Sequence, residues 1–515
     1  MRGPTPAPIL LALALGAIGA AGGEVSLLAD GAYGEALGLV YDGAFHAAEE
    51  RLATLAAQNP DDPVAPYLQG LALEWRLEQD PARHALDAGL LALADRAIAL
   101  AETRRGGESA RALMARGAAH GLKSRFYLFR GERRAAAREA VRMRADLLAV
   151  HAAGPGVGDL DFGLGLYDYY AETLPRFYRL LRPIVGVPGG NRERGLEAIA
   201  RAARGPCLFH ESEATVQMFE IQSYFERRPD RALPWIRKMW GRYPGWPLWG
   251  LKLAELLRDP LGLFVESAAV AREILTTAEL RRHVNYQPVV ASMARVALGE
   301  ALLLDLRFAE AREVLTPALA GDPQAAWVGP KAELLTARSQ EAEGDREAAL
   351  EHYRRAAGGA DPAIATRARD ALEHSLPEGE VRAAPFLARA RRLREAGRDD
   401  DAEEECGRAF AAHPPGAEGR LCAARASLHA GRPVAARALA AEIADRGRPP
   451  WLQPAARLVI AEAYAREGKR AAAVRAYKEV WEHPLGRPAL RKEAAEAIRR
   501  LDPSAPPLPE PRFER

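Results

Sequence analysis

The feature that most constrains this chain is a recurrence in its second half. Between Ser292 and Pro323 the order Gly299, Leu302, Ala311, Leu315, Ala318, Pro323 sets out a small residue, a large one, an Ala-x3-large pair and a closing proline. The frame returns as Gly344, Ala349, Tyr353, Ala356, Pro362 and as Gly397, Ala402, Cys406, Ala409, Pro414. It then recurs more briefly as Gly431, Ala436, Ala440 and Gly468, Ala473, Tyr477. Small residues at these places let two antiparallel helices approach closely, the large ones fill the space between them, and proline cannot continue a helix. The glycines fall where the turn between paired helices needs a left-handed backbone. Successive turn glycines are 53, 34 and 37 residues apart, against a helical-hairpin repeat of about 34. The excess of 19 in the first gap predicts one extra helix near Pro362 to Leu376.

Several agreeing copies make this half similar to the tetratricopeptide repeat (TPR) family. That resemblance implies an all-α, TPR-type helical-hairpin solenoid, coiled as a right-handed superhelix whose first helices line a concave groove for a protein or peptide. Upstream the pattern has drifted. Gly43, Phe45, Ala48, Leu52, Leu55 and Pro60 form one half-copy, and Ala232, Ile236, Met239 and Pro244 another. Between them Val64 to Leu77, Pro81 to Thr103, Ser109 to Gly131 and Glu132 to Ala152 alternate with a period near 3.6, as amphipathic helices do. No stretch alternates with the period of a strand.

With 515 residues, 48% of them hydrophobic, the chain is too long for one compact core. A formal net charge of +2 gives no field to draw nucleic acid out of salt. Residues Met1 to Gly23 carry only Arg2, then the apolar run Ile9 to Ile18 and the small residues Gly19, Ala20 and Ala21. This reads as a secretory signal over residues 1–21, and export to a periplasmic or secreted location is the expectation. No later stretch is apolar enough to span a membrane. The three cysteines, Cys207, Cys406 and Cys422, lack zinc-site spacing. They read as small core residues; the alternative, for an exported chain, is a disulfide between Cys406 and Cys422, which fall on adjacent helices.

The regular pattern breaks at residues 154–206. Glycines at 154, 156, 158, 163 and 165 read against an ordinary helix interior. The motif Phe162-Gly163-x-Gly165-Leu166-Tyr167, Leu174-Pro175, Gly190-x-Arg192-x-x-Gly195-Leu196 is similar to large TPR proteins of bacterial envelopes and, distantly, to the eukaryotic inclusion-body-clearance family. Neither resemblance implies catalytic residues. Three ligand readings compete for the segment: a glycine phosphate cradle, an anion held at the helix start Asn191, Arg192, Arg194, and a cation on Asp159, Asp161 and Asp168. The packing reading is preferred, with the small residues giving tight helix contact and Tyr167, Tyr170, Phe177 and Tyr178 in the core. His210-Glu211-Ser212-Glu213 has no second histidine four residues on and reads as a solvated helix start.

No nucleophile elbow, metal-ligand set or cofactor motif stands out, so no enzyme, cofactor or metal is expected. Trp235, Trp240, Trp246 and Trp249, with Tyr243, read as core or as a patch for self-association. One residue past the small position of each first helix come Glu300, Arg338, Arg391, Arg425 and Glu462, with Arg394 one turn beyond Arg391. These read either as ordinary solvated arginines of an Arg-rich chain or as a local basic stripe able to grip carboxylates of an acidic or extended partner. The lysine of the family's carboxylate clamp is replaced by Leu334, Leu387 and Leu421, so binding to a chaperone tail is not implied.

The expected organisation is a signal (1–21), drifted helical repeats (24–153), the glycine-rich segment (154–206), further drifted repeats (207–285), a regular array (286–502) and a proline-rich tail (503–515). The expected function is a protein-binding scaffold. The alternatives are a self-associating structural subunit and an enzyme built on the glycine-rich segment.

Overall fold

The computed structural model describes residues 31–79, 84–103, 110–153, 158–173, 188–205, 210–504 and 508. The expected signal, Cys207, Phe177, Tyr178, the Leu174-Pro175 step and most of the proline-rich tail lie outside the described residues. Within them the chain forms 24 α-helices with short 3-10 turns, one π-helical turn at Ile221–Phe225 and no strand. Most helices pack chiefly on the next in sequence, so the architecture is a row of consecutive antiparallel hairpins. The contacts divide it into two compact units, Met1–Met218 and Phe219–Arg515.

The repeat grammar is realised as expected in the second unit. Pro288–Leu304 pairs with Phe308–Leu315, Val328–Ala342 with Arg346–Ala357, Glu378–Glu395 with Asp399–Ala412, Ala417–His429 with Pro433–Arg446, and Gln453–Arg466 with Arg470–Glu482. The extra helix is Pro362–Glu373. Its Pro362 opens the helix instead of ending the preceding one, because the first turn needs no amide donor from proline. Asp361 completes that start, its carboxylate accepting from the amides of Ala363 and Ile364 at 2.9 and 3.0 Å.

Why these helices pair so closely is visible at Gly299. A Cβ there would stand 2.5 Å from Leu315 Cγ, so the small residue and the large one of the repeat are partners across the hairpin. Ala301, Ala311, Leu315, Ala318 and Leu335 continue the same buried cluster. Analogous clusters of alanines and one or two large side chains fill each later pair, such as Ala349, Tyr353 and Ala356 or Ala473, Tyr477 and Val480. The turn glycines Gly344, Gly397, Gly431 and Gly468 all have positive φ. At Gly431 the turn closes with Gly431 N–H donating to Leu428 O and Arg432 N–H to Ser427 O.

In the first unit Phe45–Gln58, Val64–Gln79, Asp87–Thr103, Ala110–Phe129 and Arg133–Ala153 are helices at the expected places. The glycine-rich segment corrects the sequence expectation, because Gly158–Thr173 is a regular α-helix. The cause is close approach: a Cβ on Gly165 would meet Gly195 O at 2.9 Å, and one on Gly195 would meet Tyr169 N at 2.6 Å. The glycines are where the helices Gly158–Thr173 and Arg192–Arg204 nearly touch backbones, and that contact offsets glycine's poor helix propensity. Tyr167 and Tyr169 lie in the core and Tyr170 at its edge.

Candidate functional site on the first-helix face

Along Phe219–Arg515 the first helices of successive pairs also touch one another, from Pro247–Arg258 through to Pro488–Leu501, and no pair of second helices comes as close. A row whose first helices touch is bent toward their side. Side chains far apart in sequence confirm the curl. Arg391 Nη1 donates to the Leu304 carbonyl at 2.9 Å, Arg487 Nε to the Leu261 carbonyl at 2.8 Å, and Arg491 pairs with Asp230. The Trp451 ring meets Phe264 edge-on at 5.4 Å.

This face collects charge. Arg391 bonds Glu418 through Nε at 2.9 Å, and its guanidinium lies 5.7 Å from the Phe264 ring. Arg394 Nη2 reaches Cys406 Sγ at 2.9 Å and Cys422 Sγ at 3.2 Å. The two sulfurs are joined as a disulfide with Cα atoms 5.2 Å apart, the pair the sequence marked. Arg425 differs from both: half-buried, it makes no hydrogen bond or ion pair with any of the described residues. Its carboxylate neighbours Glu462, Glu493 and Glu418 act on it only through space.

Burial, with the repulsion of neighbouring arginines, sets the electrostatics. Arg425 is held below its ordinary value by burial, against the pull of those three glutamates. Arg394 is lowered by burial and then by Arg425. Arg487 is brought down to about 10 by burial, Arg425 and Arg391. Glu462 is pushed up to about 7 by burial and by its hydrogen bond and repulsion with Glu493, against Arg425 and Arg466. This is a cluster in which cations crowd one another while part of the internal counter-charge is given up to protonation.

The sequence stripe is therefore only partly one site. Arg391, Arg394, Arg425 and Glu462 come together; Arg338 stands exposed, with no hydrogen bond or ion pair to the described residues. Glu300 is taken by Lys331 at 2.7 Å and Arg258 at 3.2 Å. Arg487, Glu418 and Glu493 were missed because they lie outside the counted repeat position: Glu418 is on Arg425's own helix, Glu493 is within Pro488–Leu501 and Arg487 is the residue just before it.

The other sequence candidates resolve into structure. Asn191 does cap its helix, Oδ1 accepting from Arg194 N–H at 2.8 Å. Arg194 itself is held by Asp168 in a two-pronged pair at 2.6 and 2.9 Å, which takes it from the anion reading of Asn191, Arg192 and Arg194. Asp161 pairs with Arg201 at 2.9 Å and Asp159 with His210 at 3.1 Å, so the three aspartates do not share one cation. Among the described residues no group of three or more His, Cys, Asp or Glu could hold a metal ion.

Trp246 and Trp249 are 4% and 0% exposed, packed edge-on at 5.0 Å. This corrects the exposed-patch reading for these two rings, whose apolar surface is already covered. Trp240 packs on Ile274, Ala278 and Tyr286, and Trp235 is half-buried.

The reading of His210 to Glu213 as a solvated helix start is also corrected: His210 is 4% and Glu213 3% exposed. Glu213 accepts from Tyr41 Oη at 2.6 Å and lies 3.3 Å from Arg125. Arg125 bonds Glu74 at 3.0 and 2.5 Å, and His210 Nε2 lies 3.4 Å from Tyr67 Oη with Phe162 stacked on its ring at 5.2 Å. Burial opposes the charge on Arg125, but Glu74 and Glu213 outweigh it and keep the guanidinium well above its ordinary range. The network is closed and ties together the helices Val64–Gln79, Ala110–Phe129, Gly158–Thr173 and Glu211–Glu220 of the first unit.

With this geometry in hand, the chain is a TPR-type array of helical hairpins whose most distinctive chemistry is an arginine cluster on one helix face. No protein-family model matches the chain and no curated protein matches it in sequence. Solved structures that it resembles include the TPR domain of P58(IPK), at 13% identity over 90% of this chain and 96% of that one with a TM-score of 0.23. The APC/C hetero-tetramer Cut9-Hcn1 aligns at 12% identity over 91% and 92%, TM-score 0.23. Naa15/Naa10 bound to HypK-THB aligns at 13% over 91% and 79%, TM-score 0.20. The fold assignment stands on this chain's own helices and their packing.

Proposed function

We propose that this chain is a non-catalytic scaffold that holds a segment of another protein along the first-helix face of its Phe219–Arg515 unit. The observation that carries the reading is the meeting on that face of Arg391 and Arg394 from Glu378–Glu395, Arg425 from Ala417–His429 and Arg487 at the start of Pro488–Leu501. Stacked hairpins give a long surface, and a row of side chains on it reads an extended chain more readily than an enclosed small molecule. The burial of Trp246 and Trp249 removes the support for self-association through those rings.

The finer part of the reading is that the chain is exported, with residues 1–21 as its signal. The Cys406–Cys422 pairing supports this, since disulfides persist in oxidising compartments. Cell fractionation together with determination of the mature N-terminus tests it; full-length chain in the cytosol would reject it.

For the scaffold itself the test is in-cell crosslinking and capture with the wild type and an Arg391→Glu/Arg425→Glu double variant. The expected result is loss of specific proteins from the captured set in the variant. An identical set from both would place the binding surface elsewhere.

A further inference from the structure

The arginine cluster has an unusual arrangement at its centre. Arg425 projects from Ala417–His429, half-buried, and is the member of the cluster with no hydrogen bond or ion pair among the described residues. The others are engaged: Arg391 with Glu418 and the Leu304 carbonyl, Arg394 with the disulfide sulfurs, Arg487 with the Leu261 carbonyl. A guanidinium carries five donors and is strongly favoured to meet an oxyanion when partly desolvated. The carboxyl groups that act on it from neighbouring helices are Glu462 and Glu493, which also act on each other. Burial and the proximity of Glu493 push Glu462 toward its protonated form, so the two carboxyl groups deliver less than their full charge to Arg425.

We propose that Arg425, flanked by Arg391 and Arg487, is the receptor for a carboxylate of an acidic protein segment, and that the Glu462–Glu493 pair is the internal counter-charge which that carboxylate displaces. The inference rests on the scaffold reading for the identity of the ligand as protein, and adds the chemistry by which it is recognised. Carboxylate suits the site because the planar guanidinium takes it in two parallel bonds. A basic partner segment would add to the crowding of Arg394, Arg425 and Arg487 and is disfavoured.

The proposal fixes a direction of pH dependence. Glu462 faces Glu493 from Pro488–Leu501, Arg425 from Ala417–His429, Arg466 on its own helix, and Tyr477 of Arg470–Glu482 with Arg500 beyond it. On Pro433–Arg446, Arg437 is turned away to Glu467 and Tyr464. Tyr477 is raised to about 12, which leaves Glu462 as the group that responds. With Glu462 at about 7, lowering the pH through neutrality protonates it, weakens the carboxylate hold on Arg425 and frees the guanidinium. The ligand's own carboxylates stay ionised until about pH 4. Binding therefore tightens as pH falls through neutrality and weakens as it rises.

The experiment measures binding of a fluorescent oligoglutamate peptide by anisotropy to the full chain at about pH 8 and about pH 6, either side of the pair's midpoint. The wild type should bind about three- to tenfold more tightly at the lower pH, the range for uptake of up to one proton. Arg425→Gln should weaken binding about tenfold, as expected for loss of a charge-assisted contact, and Arg338→Gln should leave it unchanged. A Glu462→Gln/Glu493→Gln variant should bind at the higher pH as tightly as the wild type does at the lower and lose the dependence. Circular dichroism spectra and melts accompany each variant, and the double glutamine variant, which predicts tighter binding, cannot succeed through misfolding.

Binding insensitive to Arg425→Gln, or a wild-type preference for the higher pH, would overturn the proposal. If in-cell capture finds partners on this face while oligoglutamate ignores Arg425, the scaffold reading survives and the carboxylate site fails. If the oligoglutamate pattern holds but no protein is captured, the reverse follows.

Discussion

In the Met1–Met218 unit Arg125 is gripped by Glu74 and approached to 3.3 Å by Glu213; in the Phe219–Arg515 unit Arg425 has three glutamates near it and bonds to none. Both side chains sit on long helices of the same hairpin architecture. The first network is sealed, with Glu213 3% exposed, and every cation in it is answered at hydrogen-bond distance. The second leaves a half-buried guanidinium near three carboxyl groups but bonded to none of them. Buried ion pairs hold structure together when complete, whereas an incomplete one is a standing cost that a ligand can relieve. On the proposed function, the difference separates a region that holds the structure together from one offered to a ligand.

The contrast can be broken most forcefully at Glu213. Glu213→Ala takes a carboxylate from Arg125 and the acceptor from Tyr41 Oη, and should cost about 3 kcal/mol in denaturant unfolding of the full chain. A cost below about 1 kcal/mol would mean that the network is no more sealed than a surface pair.

How much of this was legible in sequence differs between the two regions. In the second unit the hairpins could be read because their requirements are local: a left-handed turn selects glycine at positions 344, 397, 431 and 468, and helix contact selects alanine four residues before a large side chain. Turns without glycine escaped. Arg227, Arg281 and Leu306 also have positive φ, and Leu306 N–H donates to Leu303 O and Arg307 N–H to Leu302 O, the same pattern as at Gly431. Nothing local marks such a residue.

In the first unit the decisive contacts are distant. Gly165 is helical because Gly195 lies against it, and His210 and Glu213 are buried because Tyr67 and Tyr41, 143 and 172 residues away, supply their partners. Adjacent polar letters read as solvated until those partners are in place. The arginine site was half legible for a similar reason: its repeat-register members Arg391 and Arg425 follow from counting, while Arg487 enters through the curl.

Two smaller tests sharpen the comparison. Gly195→Ala puts a Cβ 2.6 Å from Tyr169 N and 2.7 Å from Gly165 O, where only backbone can yield. It should cost about 2 kcal/mol by thermal melting, and an unchanged melt would reject the close-approach account of the glycine-rich segment. Leu306→Gly should add about 1 kcal/mol by relieving a left-handed leucine. A loss of stability there would show that the Leu306 side chain contributes more through packing than its backbone costs.

The most direct test of the central claim is the melting temperature of Arg425→Gln, measured beside the wild type at neutral pH. Removing an unpaired, half-buried cation among other arginines should leave the melting temperature unchanged or raise it. A fall of several degrees, about 1 kcal/mol or more, would make Arg425 a structural residue and contradict the account of that face as a binding surface.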